Sequence, residues 1–165
     1  MEEVILVDAH DQRIGQMEKL QAHREGRLHR AFSVCLFDHQ GRWLLQRRAL
    51  KKYHSPGLWS NSCCSHPRPE ETVEAAASRR MAEELGVTCP LVFCGTFIYK
   101  TDVGEGLTEH EFDHLFIGHY DGPFAPNPDE VEAVEWWETE KIAAALQQTP
   151  SLFTKWFPII YTHLS

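Results

Sequence analysis

Residues 59–87, WSNSCCSHPRPEETVEAAASRRMAEELGV, constrain this chain more than any other stretch. The segment opens on a cysteine and a histidine two positions apart, Cys64 and His66, and then turns into a helix pattern. Ala77, Met81 and Leu85 step by four, so they form one apolar stripe that must face a core. Gly86 follows as the residue that commonly closes a helix. Off the stripe stand Arg79, Arg80, Glu83 and Glu84. Taken alone, that cluster reads as a solvated face with ordinary ion pairs.

The surrounding chain narrows the possibilities. Its 165 residues suit one compact domain, expected to span 1–165. A net charge of -8 argues against a nucleic-acid partner. It also means that a small anionic ligand needs a local basic patch, because the overall field opposes it. No apolar run approaches the ~20 residues of a membrane span. The opening MEEVILVDAH lacks the basic start and apolar segment of a signal peptide, so the expected location is cytoplasmic. Five cysteines without a secretory signal predict free thiols.

Strands are predicted over 3–7, 31–37, 43–46, 91–100, 111–120 and 131–137, the second and third joined as a hairpin by Asp38-His39-Gln40-Gly41. Residues 8–15 read as a polar turn, and 19–30 as a polar approach carrying His23 and His29. Arg47, Arg48, Lys51 and Lys52 form a basic cluster. Residues 102–106 and the proline-rich 122–129 read as loops. A helix is expected from about Thr139, as N-cap, to Gln148, followed by an aromatic helical tail whose middle Pro158 restricts.

Three groups carry candidate chemistry. Glu109 and Glu111 in TEHEF lie two apart, so on a strand they point to one face. With His23, His29 and His66 they compose a mixed nitrogen and oxygen site for Zn, Mn, Mg or Fe. A lone histidine is more often a surface or capping residue than a ligand. Cys64 is either an inert buried thiol or, beside an imidazole and cations, an acid or base. Trp59, Tyr99 and Trp156 are either core rings or cavity walls that can face a developing cation.

Glu71, Arg79, Met81, Glu83, Glu84, Gly86 and Val87 fall on the signature of the Nudix superfamily, G-x5-E-x7-R-E-U-x-E-E-x-G-U with U a bulky aliphatic. Ser65 stands where the first glycine belongs, and Arg80 where a metal-binding glutamate belongs. An arginine there removes a metal ligand and adds a phosphate partner. The runs AHREGRLHRAFSVCLF, RRALKKYHSPGLWSNSCCSHP, RRMAEELGV, YKTDVGEGLTEHE and FTKWF, in that order, resemble the type I isopentenyl-diphosphate isomerases. The resemblance runs from Lys19 to Trp156.

That resemblance implies an α/β fold, a mixed sheet packed between helices with the Nudix-like motif at 65–87. It implies isomerisation of isopentenyl to dimethylallyl diphosphate in isoprenoid biosynthesis, with a small diphosphate as partner. His23, His29, His66, Glu109 and Glu111 match the ligands of one Mn2+, Mg2+ or Zn2+ ion. Cys64 and Glu111 match the acid–base pair, with Tyr99 beside the glutamate. Glu84 and the Cys64 backbone carbonyl match the ligands of a Mg2+ on the diphosphate. Lys19, Arg48, Lys52 and Arg80 match the diphosphate grip, and Trp156 the ring facing the carbocation. A serine at 65 restricts the backbone if positive φ is needed there. Two alternatives stand beside this: a diphosphate-cleaving Nudix hydrolase, and a non-catalytic module with a structural metal, whose sites usually favour Cys and His.

Overall fold

In AFSVCLF every second residue is a large hydrophobe, and the strand it forms, β3 (His29–Phe37), is the hub of the sheet. A computed structural model describes residues 2–164. Around β3 run β1 (Glu3–Val7), β2 (Arg13–Glu18), β4 (Trp43–Arg48), β5 (Trp59–Ser60), β6 (Cys63–Ser65), β7 (Val92–Gly104), β8 (Leu107–His119) and β9 (Val131–Trp137). The helices are α1 (Lys19–Glu25), α2 (Val73–Leu85), α3 (Thr139–Gln148) and α4 (Phe157–Leu164). β3 pairs parallel to β8, with His29 opposite Glu111 and Phe37 opposite His119. It pairs antiparallel to β6, Ser33 opposite Cys64, and meets β1 and β4 at single positions. β7 runs antiparallel on the outer side of β8, and β4 carries β5 and β9.

The alternation on β3 divides the core into two layers. Phe32, Val34 and Leu36 pack with Ala77, Met81 and Leu85 of α2. Cys35 faces the other way, into a layer with Trp43, Leu45, Leu115, Ile142 of α3 and Phe157 and Ile160 of α4. The mixed sheet therefore lies between helices, because a strand buried on both faces needs a cover on each. α2 is fixed at both ends. The Thr72 hydroxyl accepts from the Ala75 amide at 3.2 Å, and Gly86 closes the helix at φ 66°. A side chain at Gly86 would meet Ala125 Cβ at 2.8 Å, a second reason for glycine there. Among the described residues no helix is long and apolar enough to cross a membrane. The five cysteines are free thiols.

Several elements differ from the sequence expectation. Part of the polar turn at 8–15 belongs to β2, and the polar approach at 19–30 contains α1, capped by the Glu18 side chain and by Gly26 at φ 65°. β3 begins two residues earlier than expected, at His29. The expected loop at 102–106 is mostly strand: β7 runs on to Gly104 and β8 starts at Leu107, with positive φ at Gly104, Glu105 and Gly106 making the tight turn. The expected hairpin of β3 and β4 is paired at Phe37 and Trp43 only; the Leu36 amide donates to Ser62 Oγ, and Phe32, Ser33 and Val34 pair with β6. Glu138, not Thr139, holds the cap position of α3, and it makes no side-chain capping bond. Pro158 lies in the first turn of α4, where a missing N–H breaks no helical bond.

Candidate active site

Strand alternation decides which residues meet. Neighbours on β6 point to opposite faces, so Cys63 enters the α2 layer while Cys64 packs on the other side. On β8 the same rule puts Glu109, Glu111 and Asp113 in one row, all buried. The parallel register sets His29 beside Glu111, and α1 delivers His23 fully buried to the same place. His23 Nδ1 lies 2.7 Å from the Lys19 carbonyl and His29 Nδ1 2.9 Å from the Arg27 carbonyl. Each ring thus turns Nε2 toward the centre.

One ligand atom from each of His23, His29, His66 and Glu109 lies within 4.8 Å of the others. The fifth expected ligand, Glu111, places Oε2 2.9 Å from His66 Nε2 and 3.4 Å from His29 Nε2. Glu109 Oε1 touches His23 Nε2 and lies 3.3 Å from His54 Nε2. Even so, Glu109 Oε1 and His29 Nε2 have no aligned hydrogen-bond partner. Buried lone pairs left open in the middle of three imidazoles and two carboxylates fit a divalent cation.

Burial and the Glu109 charge push the Glu111 carboxyl up to about 8. Burial also works against the ionised form of Glu109, but His23 and His54 beside it hold it well below the usual range. The pair therefore shares one charge, placed on Glu109. Burial holds His66 neutral, down to about 3. The Tyr99 hydroxyl donates to Glu111 Oε1 at 2.5 Å. Burial and Asp113 raise the Cys64 group, so it rests as a thiol.

Cys64, His66, Tyr99, Glu109 and Glu111 line one end of a cavity whose other end holds Lys19, Arg48, Lys52, Arg80, Glu84 and Trp156. At the second end every amine or guanidinium has a partner. Lys19 pairs with Glu2 at 2.9 Å and Lys52 with Glu130 at 2.6 Å. Arg80 reaches Glu83 at 2.9 Å, Glu84 at 2.7 Å and Glu130 at 3.4 Å. Glu84 also accepts from Gln46 Nε2 at 3.1 Å. Arg48 donates to the His54 carbonyl at 3.2 Å and stacks its guanidinium 5.3 Å from the Trp156 ring centre. Glu2, His54, Asn61 and Glu130 line the cavity but were not singled out from sequence. Glu2 and Glu130 are lone polar residues with no spacing to a known ligand, whereas His54 and Asn61 lie inside the run RRALKKYHSPGLWSNSCCSHP, Asn61 three residues before Cys64.

The NUDIX domain family matches residues 27–157. Isopentenyl-diphosphate Delta-isomerase from Burkholderia multivorans is 49% identical over 156 residues, 94% of this chain and 89% of that one. Isopentenyl-diphosphate Delta-isomerase 2 from Photorhabdus laumondii subsp. laumondii is 48% identical, covering 100% of this chain and 94% of that one. The chain belongs to the isopentenyl-diphosphate Delta-isomerase family, within the Nudix fold. Among solved structures, DR0079 from Deinococcus radiodurans superposes with a TM-score of 0.83 at 22% identity, covering 98% of each chain. The MutT protein from Methanosarcina mazei gives 0.67 at 18% identity, over 82% of this chain and 91% of that one. At such identities these two speak for the fold alone.

Membership in the isomerase family gives the signature helix a new reading. Glu71 and Arg79 face each other at 2.7 and 2.8 Å, and Glu71 also accepts from the Arg68 amide at 2.8 Å. That pair ties the loop before α2 to the helix. Arg80 occupies the cavity side, against Glu84. Ser65 lies in β6 opposite Phe32 and has no positive φ, so a side chain is accommodated where the signature has glycine.

Proposed function

We propose that this isomerase moves the double bond of isopentenyl diphosphate from C3–C4 to C2–C3, with Cys64 and Glu111 as the acid–base pair. One proton is added at C4 and another leaves C2, giving dimethylallyl diphosphate. The observation that carries this reading is the thiol and the carboxyl lining one cavity; turnover needs one of the two protonated, to give a proton to C4, and the other ionised, to take one from C2. Protonating an unactivated alkene develops a tertiary cation at C3, so the barrier is charge development in a dry site. Two groups on opposite faces act without turning the substrate over. Tyr99, donating to Oε1, fixes the orientation of the Glu111 carboxyl. Trp156, buried at 3% exposure and beside the cavity, offers a ring face to the cation and no nucleophile to trap it. Closing out water prevents hydration of that cation.

His23, His29, His66, Glu109 and Glu111 would hold one Mn2+, Mg2+ or Zn2+ ion. When bound, that ion would supply positive charge that fixes Glu111 and sets its protonation. Glu84, with the Cys64 carbonyl, would hold a Mg2+ on the diphosphate, and Lys19, Arg48, Lys52 and Arg80 would take the remaining oxygens. This reading takes residues 1–165 as one catalytic domain. The test is incubation of the chain with isopentenyl diphosphate and Mg2+ or Mn2+. Dimethylallyl diphosphate is the expected product; inorganic phosphate in its place would return the chain to the hydrolases.

A further inference from the structure

Asn61, hydrogen-bonded to Cys64, has no role in the scheme above. Asn61 sits between β5 and β6, 1% exposed, and lines the cavity. Its amide can be oriented in one way only. Nδ2 donates to the Val34 carbonyl at 2.9 Å and the Cys63 carbonyl at 3.1 Å. A flipped amide would put Oδ1 against those two oxygens. Oδ1 therefore points to the thiol, and Cys64 Sγ donates to it at 2.9 Å.

A second chain of hydroxyls reinforces the same direction. Thr154 donates to Ser60 Oγ at 3.1 Å, and Ser60 donates to Asn61 Oδ1 at 2.9 Å. Sγ has another oxygen neighbour, Ser33 Oγ at 3.4 Å. Ser33 Oγ also lies 2.7 Å from Asp113 Oδ2, and between Ser33 and the thiol either group can donate. Of the two oxygens near Sγ, the nearer is Asn61 Oδ1, and it is the one whose role as acceptor is fixed, by the two carbonyls that hold Nδ2.

We propose that Asn61 is a positioning residue for the reaction: its amide oxygen sets the direction of the Cys64 S–H and with it the rotamer of the sulfur. The idea rests on Cys64 being the reacting thiol. Asn61 does not touch the diphosphate cations or the five candidate metal ligands in any bond of the structure described above. Its loss should therefore act on turnover and leave substrate and metal binding alone.

The test is Asn61→Ala in the Mg2+- and Mn2+-loaded enzyme, read in two ways. The first is the infrared S–H stretch of Cys64, assigned by its disappearance in Cys64→Ala. Loss of an acceptor should move that band to higher frequency. The second is kinetics: kcat should fall by ~10^2-fold, the scale of a misplaced reacting group, with KM and metal content within about twofold of the parent. An unmoved band, or a moved band with unchanged kcat, overturns the proposal. So does a fall in kcat accompanied by equal losses in KM and metal content, which marks a structural residue. If Asn61→Ala does not fold, Ser33→Ala decides: the band should stay in place, and its movement would show that Ser33 holds the hydrogen. Full activity of Cys64→Ala would instead refute the acid–base reading itself, a separate outcome.

Discussion

The two ends of the cavity are built by opposite rules. The end at β3, β6 and β8 gathers three imidazoles and two carboxylates, all buried, on paired strands and a capped helix. Its polar atoms are partly unsatisfied, at His29 Nε2 and Glu109 Oε1. The end at α2 and the 48–52 segment gathers cations, partly exposed, and each already has an anionic or carbonyl partner. The first end is buried, and its donor set fits a divalent cation. At the second end Arg48 Nε and Trp156 Nε1 are likewise without a hydrogen-bond partner among the described residues, and the pairs of Lys19 with Glu2 and Lys52 with Glu130 would compete with any anion bound there. Under the proposed reading, buried and fixed groups suit the end where protons would move, and exchangeable pairs the end that would bind and release the diphosphate.

The largest expected effect lies at the buried end. Cys64→Ala should cost at least ~10^2-fold in kcat. Cys63→Ala should leave the rate nearly unchanged and cost on the order of 1 kcal/mol of stability in denaturant unfolding, since its sulfur faces α2. Equal tolerance of both would erase the distinction that strand alternation draws.

Next comes pH. In the metal-free fold Glu111 keeps its proton to about 8, whereas an unfolded glutamate loses it near 4.5. The raised folded value stabilises at low pH, and that contribution is lost as pH rises through about 8. His66, lowered by burial to about 3 from 6.5, works in the opposite sense, so only above 6.5 is Glu111 the sole one of the two changing charge. Binding of Mn2+ should expel the protons of Glu111 and of His23, which, despite burial, Glu109 raises above 6.5, so its affinity should rise by at least ~tenfold per pH unit between about 6.5 and 8. Calorimetry in buffers of different ionisation enthalpy measures the release; a flat affinity would separate the metal from Glu111.

Smaller effects belong to the cationic end. Arg80→Lys should lower kcat/KM several-fold, roughly 1–2 kcal/mol of bidentate recognition, with metal content unchanged by elemental analysis. A drop in metal content would join the two ends into one. Smallest of all, Glu130→Gln should lower KM for isopentenyl diphosphate by a factor of up to about 5, the value of one partly exposed ion pair, and the gain should shrink in high salt. A raised KM would mean that Glu130 aligns Lys52 and Arg80 and does not compete for them.

The site was more legible in the sequence than the elements that deliver it. The E-x-E pair and the Cys–His spacing are local, so their geometry follows from strand alternation once β6 and β8 exist. α1 was hidden because KLQAHRE is a short, polar helix whose buried face is only Ala22 and His23. β2 was hidden because its residues are mostly exposed and show no alternation. The run-on of β7 and β8 through 102–108 was hidden by glycines that read as loop but make a turn between long strands. Glu130 gains meaning only from a partner distant in the chain, Lys52, which no spacing rule connects, and the amide of Asn61, though close to Cys64 in the chain, is oriented by the distant Val34 carbonyl.

The parallel pairing of β3 with β8 also has a meaning in time. His29 and Glu111 are neighbours in space but lie on strands separated by β4, β5, β6, α2 and β7. A chain emerging from the ribosome has made all three histidines of the cluster long before either glutamate. Non-local parallel pairing is slow to form, because the intervening loop must close first. The cluster can therefore come together only after β8 has docked on β3. Appearance of a high-affinity Mn2+ site during refolding would then be a clock for completion of the sheet, later than any signal from the helices.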